Sequence, residues 1–152
     1  MGDEQSGEER AREIIDRSLY MVLGTADLDG RPWASPVYYA PAGYREFLWI
    51  SDPRARHSQN IAARPEVGIV IFDSSVPINT GEGVYMDALA AELSPEESSA
   101  AIEIFSRRGV GHGARATRVE DVRTPAKHRL YRARASAHWI LDEHDNRLSA
   151  DP

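Results

Sequence analysis

The chain has 152 residues, of which 41% are hydrophobic and 28% charged, with a formal net charge of −6 and no cysteine. This is the size and composition of one ordinary globular domain, able to bury about two thirds of its unfolded surface. Disulfides, iron–sulfur clusters, thiol catalysis and thiolate-bound zinc are excluded. The acidic balance argues against nucleic acid as main partner. No apolar run reaches the roughly 20 residues of a membrane span, and the first residues lack the basic-then-apolar order of a signal peptide, so a cytoplasmic location away from membranes is expected.

Residues 1–7 read as a disordered acidic leader, 8–148 as a single domain and 149–152 as a short tail. Over 8–18, Ala11, Ile14, Ile15 and the following Leu19 recur at helical spacing, which predicts an amphipathic helix. A strand over 19–26 follows. The D-L-D-G at 27–30 is turn chemistry that closes a hairpin onto a strand over 33–39, and Pro41-Ala42-Gly43 predicts the next turn, into a strand over 46–51.

Asp52-Pro53 reads as a helix start, Asp capping free N–H groups and Pro in the first helical position; that helix is expected to run to Ala63 and stop before Pro65. The V-G-I-V-I-F run at 67–72 suits a strand buried on both faces. After a loop at 73–81 comes a long strand over 83–93, then a helix capped by Ser94 and running to about Arg108. Residues 109–124 lack a period and read as a loop. Two final strands are expected at 129–135 and 138–142, the second either separate or a continuation of the first, with Tyr131, Ala133, Ala135, Ala137, Trp139 and Leu141 sharing one face. Strands interspersed with few helices predict a mainly β fold, a six- to seven-stranded antiparallel barrel with capping helices.

The candidate chemistry gathers at one place. Ser51 ends a strand, and Arg54, Arg56, His57 and Ser58 crowd the helix start that follows, the residue types and the dipole that hold a phosphate. A solvated polar helix is the simpler reading of the same residues. Between Arg107 and Arg134 nine Lys or Arg face only Glu120 and Asp121, either a solvated basic face or part of an anionic ligand pocket. G-V-G-H-G-A at 109–114 imitates a dinucleotide fingerprint, but a helix precedes it and a loop follows, the reverse of what the mechanism requires. The histidines at 57, 112, 128, 138 and 144 have no metal-ligand spacing, and no serine sits in a nucleophile elbow.

The order of Gly24 to Pro32 (G-T-A-D-L-D-G-R-P), Ser35-Pro36-Val37, Ile50-Ser51, Arg56-His57 and Asn60-Ile61 with Pro65 and Val67 resembles the pyridoxamine 5′-phosphate oxidase-like family of flavin-binding split β-barrels. The resemblance spans about residues 11–148. It implies a homodimer with flavin mononucleotide (FMN) at the subunit interface and no nucleic-acid or membrane partner. Ser35, Pro36 and Val37 would line the flavin ring, Ile50 and Ser51 would lie by the ribityl-phosphate, and Arg56, His57 and Ser58 would hold the phosphate. Gly83, Val84 and Tyr85 look like the strand that reaches the other subunit's flavin, Trp139 resembles the C-terminal aromatic near the ring, and Trp33 would stack on or shield it. His57 stands where vitamin-processing members carry lysine, and the lysine expected after Val37 is absent, so oxidation of pyridoxamine phosphate itself is not implied. What is implied is an FMN-dependent oxidoreductase with an unassigned small-molecule substrate; a deazaflavin-dependent reductase, or a non-enzymatic flavin- or tetrapyrrole-binding protein, are the alternatives.

Overall fold

The computed structural model describes residues 5–152, so the first four residues of the expected leader lie outside the described residues. The next ones are structured. Helix α1 spans Gly7–Arg17, and the Ser6 hydroxyl accepts the Glu9 N–H while the Glu9 carboxylate accepts the Ser6 N–H. This reciprocal cap holds the helix start by about 0.5–2 kcal/mol. Ala11, Ile14 and Ile15 face the core, as the spacing predicts.

The strands are β1 (Tyr20–Ala26), β2 (Pro32–Tyr38), β3 (Ala40–Ala42), β4 (Glu46–Ser51), β5 (Glu66–Phe72), β6 (Gly83–Glu92), β7 (Arg129–Leu141) and β8 (Arg147–Ser149). The helices between them are α2 (Arg56–Ala63) and α3 (Pro95–Gly111), with a short 3-10 turn at Val119–Val122. Among the described residues six strands are long and two are three-residue pieces. All pairs are antiparallel, in the order β2-β1-β5-β6-β7-β4-β3 with β8 on β7. The two ends of this path are not bonded to each other, which leaves the barrel split.

The β1–β2 hairpin forms at the expected turn. The Asp27 carboxylate accepts the N–H groups of Asp29 and Arg31, and Gly30 supplies the positive φ of 83° that closes it. Of the turn expected at Pro41-Ala42-Gly43, only Gly43 turns: Pro41 and Ala42 belong to β3, which pairs with β4, and Gly43 supplies the positive φ of 69°. The barrel interior holds Met21, Leu23, Phe47, Trp49, Ile69, Ile71, Val84 and Met86. A second cluster, in which Leu48 and Leu130 meet Leu93 just after β6 and Ile102 and Phe105 of α3, lies on the other face of β4 and β7. The apolar run of β4 is therefore buried on both sides.

The same expectation fails for β5. Its burial alternates, with Val67, Ile69 and Ile71 inside and Gly68 and Phe72 exposed, because no helix covers its outer face. Of the two readings of the C-terminal strands, the continuous one holds: they are one 13-residue strand. Its pairing with β6 slips between Asp87 and Ala88, skipping Ser136, so Tyr131, Ala133 and Ala135 face inward but Trp139 and Leu141 do not. Beyond the bulge His138 and Ile140 take the inner face. Residues 109–124 are not a plain loop: α3 continues to Gly111 and Val122 is buried. The expected tail is docked as well, with Ala150 fully buried and the Asp151 carboxylate accepting the His138 N–H at 3.0 Å.

Candidate functional site

At the C-terminal end of β4 the chain makes a turn before entering α2. Asp52 serves this turn and not the helix. Its Oδ1 accepts the Arg54 N–H at 2.9 Å, and its Oδ2 meets the Arg54 guanidinium at 3.1 Å and Lys127 Nζ at 3.8 Å. Hydrogen bonds from Arg54, side chain first and then backbone, hold its pKa down to about 2. The residue that takes the N-cap position is Ala55, which has no capping oxygen, and no acidic residue occupies the first turn of α2. The positive end of the helix therefore faces outward uncapped, with Arg54 and Arg56 beside it. Cations at this end oppose the helix dipole, and uncapped N–H groups need acceptors. An anion satisfies both.

Around this point the side chains are tightly placed. Ser51 Oγ and His57 Nε2 share a buried hydrogen bond of 2.8 Å, and burial lowers the His57 pKa, keeping its ring neutral. The two are thus bonded to each other. Asn60 Nδ2 donates to Thr25 Oγ1 at 3.0 Å, and Thr25 Oγ1 lies 3.5 Å from the Trp33 carbonyl, a chain that pins α2 to β1 and β2. The Arg56 guanidinium lies over the Trp33 ring, 4.8 Å from its centroid. Arg129 stands opposite Ser51 in the β4–β7 register, its guanidinium donating to the carbonyls of Ala126 and His128.

Asn60, Thr25 and Arg129 fall within motifs quoted above but have no role assigned there. The first two are separated by 35 positions and are unremarkable in type, so only the fold joins them. Most other cations of the 107–134 region are taken up elsewhere, Arg107 by Glu103, Arg132 by Glu97 and Arg134 by Glu46. Lys127 and Arg129 are the two that come to the Ser51 end.

Ser35, Pro36 and Val37 lie on β2, whose second edge carries no strand. Val37 points into the core, Pro36 outward. Ile50 turns away from Ser51 toward the α3 cluster. The Ser58 side chain sits on the flank of α2 away from Arg56, beside Tyr131, while its N–H belongs to the uncapped first turn. Val84 is buried in the core, so the exposed group at the start of β6 is Tyr85. Trp139 pairs with Tyr85, with the Arg147 guanidinium over its ring at 4.8 Å. Ten residues of β7, about 33 Å of strand, separate Trp139 from Arg129 opposite Ser51. Across the sheet Trp139 stands level with Tyr85, Val70, Val22 and Pro36.

The fold is a mainly antiparallel split β-barrel with helices against its ends. The chain belongs to the pyridoxamine 5′-phosphate oxidase family, whose model matches residues 8–141. It is 30% identical over 104 residues to a pyridoxine/pyridoxamine 5′-phosphate oxidase of Paraburkholderia phymatum, covering 66% of this chain but 46% of that one, so it spans about half of that relative's length. Among solved structures, a heme binding protein from Mycobacterium smegmatis is similar with a TM-score of 0.73 at 20% identity, covering 97% of this chain and 59% of that one. An F420 reductase is similar with a TM-score of 0.60 at 20% identity, covering 84% and 94%.

Proposed function

We propose that the protein is an FMN-binding flavoprotein oxidoreductase acting on a small molecule, with the cofactor at the interface of a homodimer. The observation that carries this reading is the uncapped, arginine-flanked start of α2 beside the free edge of β2. The donor set fits the cofactor's phosphate. Arg56 grips phosphate oxygens in a bidentate fork, and the first-turn N–H groups, that of Ser58 included, add backbone donors. Ser51 and His57 contribute polar groups at the same strand end while remaining bonded to each other. The free edge of β2 at Ser35, Pro36 and Val37 offers backbone groups to the polar rim of the ring, and Trp33 shields it from water. When bound, FMN supplies two-electron hydride chemistry. The chain binds, orients and excludes solvent, and no side chain is assigned as acid or base.

The partner half of the site comes from the outer sheet face, where no helix covers Tyr85 and the Trp139 ring with Arg147 over it, and Gly83 and Val84 start the strand. A deazaflavin coenzyme is the second reading. Lys127 and Arg129 at the same end fit the longer anionic tail that such a coenzyme carries.

The test is a titration of the purified protein with FMN followed by fluorescence quenching, paired with a sedimentation mass. Saturation at one FMN per subunit in a dimer is expected. Absence of quenching overturns the flavin reading in favour of the deazaflavin, and a monomer that binds FMN fully overturns the interface. Reduction of the bound flavin by a nicotinamide donor then separates an enzyme from a binding protein.

A further inference from the structure

Successive residues of an α-helix are rotated by about 100°, so Arg56 and Asn60 lie on one flank of α2, and Ser58 and Ala62 on the other. The second flank opens into a cavity of about 350 Å³ between α2, the end of β6 and the start of β7. This volume is in the range of small-molecule sites. Its walls are apolar and stiff, built from Pro53, Ile61, Pro65 and Ala91, and short alanines leave the space open.

One end of the cavity is polar. Ser58 is 2% exposed and its Oγ has no hydrogen-bond partner. Tyr131 is 3% exposed, and its hydroxyl makes only a long 3.5 Å contact to Glu92 Oε1. Burial pushes the Tyr131 pKa up, with Ser58 beside it opposing, so the hydroxyl stays protonated. With the Tyr131 proton directed at Glu92 and the Ser58 proton turned toward the Tyr131 oxygen, the unfilled positions are the lone pairs of the Ser58 hydroxyl and of the Glu92 carboxylate. The neighbouring cations do not fill them: Arg132 is bound to Glu97 at 2.8 Å, and Arg129 donates to the carbonyls of Ala126 and His128. An acceptor-rich end, with the buried Ser58 and Tyr131 hydroxyls inside and the exposed Glu92 carboxylate at the mouth, calls for a hydrogen-bond donor with a positive charge.

We propose that this cavity is a second ligand site, taking a small organic cation with an apolar body, its ammonium held by Ser58, Tyr131 and Glu92. The site is separate from the phosphate-facing flank of α2 and stands whether or not the flavin reading holds. It differs from that flank in sign, since the one end gathers arginines and the other a carboxylate.

Benzylamine is the probe, followed by two-dimensional amide NMR on the full chain with and without FMN. Saturable shifts are expected at residues 58–62 and 90–92, with 33–37 unmoved in both states. Ser58→Ala and Glu92→Gln should each weaken binding about tenfold, and phenylacetate, with the opposite charge, should not saturate. Ala62→Leu, at an exposed position, fills the mouth and should abolish the shifts while leaving the spectrum folded. Equal binding of phenylacetate, unchanged affinity in Glu92→Gln, shifts confined to 33–37, or no saturable shift would each overturn the proposal.

Discussion

Arg56 is exposed, held over Trp33 and placed at the positive end of a helix, where its own charge is unfavourable without an anion. Arg56→Ala should therefore weaken FMN binding about ten- to a hundredfold, the loss of a charge-assisted hydrogen bond of roughly 1.5–3 kcal/mol, measured by the same quenching titration. Unchanged affinity would remove Arg56 from the site. His57 predicts a pH effect of definite sign. Burial lowers its folded-state pKa, so below the unfolded value of about 6.5 the unfolded chain binds more protons and stability falls as pH drops. The melting temperature should fall on acidification from about pH 7 toward 5, and His57→Gln should flatten that segment of the curve. A variant with the parent's slope would assign the effect elsewhere. The cluster of Ser51, Arg56 and His57 was legible because its residue types lie close together in the chain. Asp52 was misread, since Asp-Pro serves a cap or a turn equally and Arg54 selects the turn.

The absent cap of α2 is an element-scale feature with a cost in stability. Asp is among the best N-cap residues and Ala among the poorest, so Ala55→Asp should stabilise the protein by about 0.5–2 kcal/mol. The same carboxylate would occupy the first-turn N–H groups and repel a phosphate. The expected result is a higher melting temperature together with weaker FMN binding; a gain in stability with undiminished affinity would show that the helix start does not face the cofactor. Elements with a strong period were legible, α1 and β6 among them. β5 and β7 were not, for physical reasons. An apolar run reports hydrophobicity without saying what covers it, so the exposed Phe72 looked buried. A single skipped residue, Ser136, inverts every later position of β7, and nothing in its composition marks the slip.

At the scale of the whole molecule, the uncovered face of β1, β5, β6 and β7 is the feature that one chain leaves unresolved. Val22, Val70, Tyr85 and Trp139 line a shallow apolar groove there, floored by the paired Gly24 and Gly68, where a Cβ on Gly24 would sit 3.4 Å from the Gly68 carbonyl oxygen. Bare glycines at its centre permit close approach of another surface. Trp139 lies at the far end of β7 from the strand end that adjoins Ser51, and the proposed dimer would let a second copy bring this face to the Arg56 end. Val70→Asp places a charge in the middle of this face without entering the core, since Val70 points outward on β5. An unpaired charge buried at an interface costs several kcal/mol, on the order of 3–5, enough to dissociate a dimer of ordinary affinity. The variant should sediment at half the parent's mass, keep its circular dichroism spectrum, and lose FMN quenching together with the partner. If it becomes monomeric yet titrates with FMN as the parent does, the cofactor site is complete within one chain and the Trp139 face has another use.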